Sequence, residues 1–107
     1  MRDIVSEERL EAALTYLSDT DEAFAEAKAA VERTHILTKR ARARCYLLTS
    51  GTVAERQAQT ETAGDVTVAD DAYCEAVKAF ETLKAQRERA DIVVGVWRSL
   101  EASRRKA

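Results

Sequence analysis

Residues 24–48, FAEAKAAVERTHILTKRARARCYLL, decide the fold. Within them Phe24, Ala27, Val31, Thr34, Thr38, Ala41, Cys45 and Leu48 recur at alternating steps of three and four, the spacing of a helix face that lies in a coiled-coil seam. Small residues dominate that stripe. Ile36, Leu37, Tyr46 and Leu47 fall off it, so a second apolar face exists toward Gly51, and a further helix or a second protomer is needed to cover it.

Working outward, Gly51 supplies a C-terminal stop for this helix. On the N-terminal side, the run Ser18-Asp19-Thr20-Asp21-Glu22 reads as a turn, with Asp19 as cap and Glu22 three residues on. A separate short helix is therefore expected from about Ser6 to Leu17, capped by Ser6, with Leu10, Ala13, Leu14 and Leu17 on one face. Thr52-Val53-Ala54-Glu55 and Thr67-Val68-Ala69-Asp70 share a helix-start pattern. The first opens a short helix to about Thr60, residues 61–66 form a loop, and a last long helix runs from Thr67 nearly to the C-terminus. Its inner face is Tyr73, Ala76, Val77, Phe80, Leu83, Arg87, Ala90, Val94, Trp97 and Leu100. With the reversal between the long helices placed in that middle region, facing residue numbers should add to 118 or 119, which sets Cys45 opposite Cys74 and Phe24 opposite Gly95. In that register Glu75 and Glu81 lie near Arg40 to Arg44, and the basic tail returns to Glu7, Glu8 and Glu11.

The fold class is thus all-α, an antiparallel long helical hairpin with a short N-terminal helix and a short helix at its tip, and the 107 residues make one domain. Composition agrees, since proline and asparagine are absent and there are only three glycines. No apolar run reaches the roughly 18 residues of a membrane span, and Met1 to Glu8 contains no signal-peptide core. The expected location is the cytoplasm, that of the host cell for a viral protein. Cys45 and Cys74 have no CxxC spacing and read as small buried thiols.

The net charge of −2 is distributed in blocks. Residues 1–32 carry nine acids and three bases, residues 33–54 five bases and no acid, residues 55–83 seven acids and two bases, and residues 84–107 seven bases and three acids. Internal matching of these blocks would favour antiparallel pairing.

Chemistry is nearly absent from the pattern. His35 has a single acid one turn away, Glu32, which is ordinary on a solvated helix. There is no phosphate loop, HExxH, GxSxG or EF-hand, and the Glu-x-x-His of a di-metal bundle does not occur. No enzyme, metal or cofactor is expected. The one surface with chemical direction is basic: Arg33, Lys39, Arg40 and Arg44, joined by Arg87 and Arg89. Arginine exceeds lysine twelve to five, which suits bidentate contacts to phosphate or carboxylate. The apolar run Ile92 to Trp97 is wider than one helix face needs, so it should be surrounded, by the long helix of residues 24–48 on one side and by Leu10, Leu14 and Leu17 on another; with the first helix detached instead, the run is a sticky patch and Trp97 joins Ile36, Leu37, Tyr46 and Leu47 as a candidate contact residue.

Thr52-Val53-Ala54-Glu55-Arg56 and the run Asp91 to Arg105, DIVVGVWRSLEASRR, resemble small uncharacterised helical proteins encoded by phages and prophages. The resemblance covers the last half of the chain. It implies a viral origin and an accessory role in phage DNA replication or recombination, or in blocking host defence, and it carries over no functional residue. Two functions are weighed: a non-enzymatic interaction or oligomerisation module, docking on a protein partner or on itself as a dimer or higher oligomer, and a DNA-binding accessory using the arginines. Neither involves a membrane.

Overall fold

The computed structural model describes residues 5–106; residues 1–4, which open the stretch read for a signal peptide, and residue 107 lie outside the described residues. The described chain is helical: α1 (Glu7–Leu48), α2 (Val53–Thr62) and α3 (Gly64–Lys106), with no strand among the described residues. Contacts gather it into two compact units, residues 1–25 with 81–107 and residues 26–80, each containing a segment of α1 and a segment of α3. In both, contact numbers fall along α3 as they rise along α1, so the helices are antiparallel, as in the expected hairpin.

In the unit of residues 1–25 and 81–107, the Ser6 cap is as expected, its Oγ accepting from Arg9 N at 3.2 Å. Ala13, Ala90 and Val94 are buried, with Leu10, Tyr16, Leu17 and Val93 packed against them. Two expectations fail here. Leu14 is exposed rather than inward, and Ser18 to Glu22 form no turn, because α1 runs unbroken for 42 residues. The cause of that continuity is Arg87. Its Nη1 donates to Leu17 O at 2.9 Å and to Thr20 Oγ1 at 2.7 Å, and its Nη2 to Asp21 Oδ1 at 2.7 Å. Thr20 itself donates to Tyr16 O at 2.7 Å, a bond back into the preceding turn. Arg87 thus braces the run at Thr20 and Asp21, while Asp19, the expected cap, lies exposed inside the helix. Arg87 also lies 4.9 Å over the Phe24 ring, so Phe24 packs on a guanidinium and not on Gly95, whose missing Cβ faces open space.

In the unit of residues 26–80, the expected stripe from Ala27 to Cys45 is half-buried, whereas Leu48 is exposed. Thr38 Oγ1 reaches Ala69 O at 3.3 Å, an approach that only small seam residues permit. The His35 and Tyr73 rings stand 5.4 Å apart. The chain reverses at Gly51, whose φ of 116° is the left-handed backbone that glycine adopts without strain. Thr52 then caps α2, accepting from Glu55 N at 3.2 Å. The expected loop over residues 61–66 shrinks to one extended residue, Ala63, and α3 starts at Gly64 rather than Thr67. Thr67 lies inside its first turn, donating from its backbone to Ala63 O at 3.0 Å.

These changes correct the register. Thr38 and Ala69 add to 107, His35 and Tyr73 to 108, and Tyr46 and Arg56 to 102, against the expected 118 or 119. Because Gly51 is the apex, α2 belongs to the returning limb, and every later residue meets an earlier partner. Cys74 therefore sits opposite a position about 11 residues from Cys45, or ~16 Å along the axis at 1.5 Å per residue. Both thiols are free, and Cys74 is exposed, against the expectation that it is buried. The register also redirects the charges. Arg42 bonds Glu61 and Asp70, where Glu75 and Glu81 were expected near this basic run.

Candidate interaction surface

Opposite its seam, α1 presents a second line of side chains. Arg33, Arg40 and Leu47 recur every seven residues, and Ile36, Leu37 and Arg44 lie between them on the same side. All six are exposed, whereas Val31, Thr34, Thr38, Ala41 and Cys45 are half-buried. Ile36 is 47% exposed, Leu37 48% and Leu47 76%. Such aliphatic side chains in line, rather than scattered, form a sticky stripe. Ala29, Glu32, Arg33, Ile36, Leu37 and Arg40 line a shallow depression on it.

The charges on this face are uncommitted. Among the described residues Arg33, Lys39, Arg40 and Arg44 make no ion pair, whereas their neighbour Arg42 is spent on the inner side. The Glu61 carboxylate, foremost, and Asp70 hold the Arg42 guanidinium above its ordinary pKa, outweighing the partial desolvation that opposes them. Arg42 pins α2 and the start of α3 to α1, and Arg56 pins α2 to α1 one turn further on. Its guanidinium stacks 4.0 Å over the Tyr46 ring while Nη2 donates to Tyr46 O at 2.7 Å. Part of the second apolar face foreseen from sequence is thus covered by α2, namely Tyr46. Ile36, Leu37 and Leu47 are not.

The remaining candidates separate. Arg87 and Arg89 belong to the other unit; Arg89 is exposed, but Arg87 has its donors occupied by Leu17, Thr20 and Asp21. Trp97 is half-buried on the α3 inner face. Sequence reasoning missed the outward side of α3 in the unit of residues 26–80. There Asp65, Val68, Asp71, Ala72, Glu75, Lys78 and Ala79 are exposed, Val68 to 69%. A valine out of phase with the stripe of Tyr73, Ala76, Val77 and Phe80 was the available signal.

Among the described residues no group of three or more His, Cys, Asp or Glu is gathered to hold a metal, and no helix is long and apolar enough to cross a membrane. Comparison with protein-family models, with curated proteins and with solved structures returns no match.

Proposed function

We propose that this chain is a non-enzymatic interaction module that receives a protein helix on the outer face of α1. The observation that carries the reading is the alignment of exposed Ile36, Leu37 and Leu47 with Arg33, Arg40 and Arg44. A fully buried Leu or Ile side chain contributes about 1.5–3 kcal/mol, so covering three half-exposed or exposed ones supplies several kcal/mol toward the ordering cost of association. The flanking arginines select a partner helix with carboxylates on either side of its apolar line, through charge-assisted hydrogen bonds. A small phage accessory, the setting that the sequence resemblance implies, would work through such a face.

A second reading, DNA binding by Arg33, Lys39, Arg40 and Arg44, is favoured by the absence of any acid between residues 33 and 54. It leaves the three aliphatic side chains without a role, because phosphates offer them no apolar surface. Titrating the labelled full chain with an acidic amphipathic helical peptide and with duplex DNA separates the two. Saturable peptide binding that Leu37→Asp abolishes supports docking. DNA binding that falls steeply with salt and is lost in Arg40→Glu/Arg44→Glu, with no peptide binding, overturns it.

A further inference from the structure

We infer that the helix received by the α1 face is α3 of a second copy of this chain, an inference that rests on the docking reading. The outward residues of α3 complement those of α1 in both charge and size. The α1 face is basic except for Glu32, and the α3 face is acidic except for Lys78. With the two helices antiparallel, one register pairs Glu32 with Lys78, Arg33 with Glu75 and Arg40 with Asp71, whereas Arg44 and Asp65 already border one cavity within the chain. The numbers in these three pairs add to between 108 and 111, a spread of less than one helical turn. The same register sets bulky Ile36 and Leu37 against Ala72, the large-to-small fit that close helix packing uses. A parallel arrangement also brings arginines to acids, but it places Lys78 beside Leu47 and leaves Glu32 unanswered.

Because the two faces differ, the contact is head-to-tail, and each associated pair keeps one of each face for a further copy unless a ring closes.

Sedimentation equilibrium of the full chain from micromolar to millimolar concentration tests this. The wild-type chain should exceed the monomer mass increasingly with concentration. Arg33→Glu/Arg40→Glu makes both faces acidic and Asp71→Arg/Glu75→Arg makes both basic, so each of these chains alone should be monomeric. Their equimolar mixture should regain the association, since each then meets its complement. Glu32→Lys should weaken association several-fold and Lys78→Glu in the same chain should restore it, as the antiparallel order requires. Should a charge-reversed chain lose its helical circular dichroism, Ile36→Ser/Leu37→Ser, outside the seam, gives the same expected loss. A wild-type chain that is monomeric throughout yet binds the acidic peptide overturns the second-copy inference and leaves docking standing. One that is monomeric and ignores the peptide overturns both, and a mixture no heavier than its separate components overturns the pairing of faces.

Discussion

Replacing Arg87 by alanine tests the physical reason that α1 is one helix. Three acceptors lose their donor together: Leu17 O, Thr20 Oγ1 and Asp21 Oδ1. The Arg87 side chain is 17% exposed and Asp21 is 71% exposed, so the ion pair is largely screened and contributes about 0.5 kcal/mol. The two less exposed charge-assisted bonds are worth about 1–1.5 kcal/mol each once solvent competition is allowed for. Contact with the Phe24 ring adds about 0.5–1 kcal/mol. The total, about 3–4.5 kcal/mol, is a large share of the 5–15 kcal/mol that holds a small domain together. Urea unfolding followed by helical circular dichroism should show that loss, and Arg87→Lys should lose about half of it, because one ammonium cannot span three acceptors. Amide exchange at residues 18–22 should accelerate as the polar run regains its tendency to turn. A loss under about 0.5 kcal/mol, with exchange unchanged at those residues, would refute the reasoning.

Three further outcomes test the register and the apex. Gly95→Ala should stabilise the chain by about 0.5–1 kcal/mol in the same unfolding experiment, since nothing lies within 4 Å of the added methyl and alanine is the better helix residue; destabilisation would place a partner against that position. Gly51→Ala should cost about 1–2 kcal/mol, through the positive φ and a clash with the Glu55 side chain, and a neutral result would move the apex elsewhere. With Cys45 and Cys74 changed to serine, Thr38→Cys/Ala69→Cys should close an intramolecular disulfide under mild oxidation, detected by non-reducing electrophoresis. The native pair in the wild-type monomer should not, and the opposite pattern would restore the register expected from sequence.

The seam faces were legible from residue spacing alone. Seven of eight positions assigned to the inner stripe of α1 are half-buried, and all ten on α3 are half-buried or buried, Leu48 being the exception. The register was not legible, because a slip of about 11 residues is close to three full turns and returns the same faces to contact. A seam of alanine and threonine carries no large side chain to resist that slip. What decides it is the apex, and two turn signals competed: Gly51 and the stretch around Gly64. The positive φ at Gly51 settles it, while Gly64 simply begins α3. The break expected at Ser18 to Glu22 failed for a nonlocal reason. An arginine in the middle of the α3 inner stripe must find acceptors, and the Thr20-Asp21 run is where α1 offers them. At the candidate surface, Ile36, Leu37 and Leu47 were recognised as unaccommodated by the seam, but Tyr46 was not separable from them, since its cover comes from Arg56 ten residues later. The acidic outer side of α3 escaped notice because charge was counted in blocks along the chain rather than by helix face.

Methyl NMR on the full chain tests the docking face most directly. As concentration rises, or as the acidic helical peptide is added, the Ile36, Leu37 and Leu47 methyl signals should shift together, while those of Leu83 and Val94 on the inner face of α3 stay in place. Signals from Ile36, Leu37 and Leu47 that remain fixed while others move, or that respond to neither addition, would contradict a docking role for the outer face of α1.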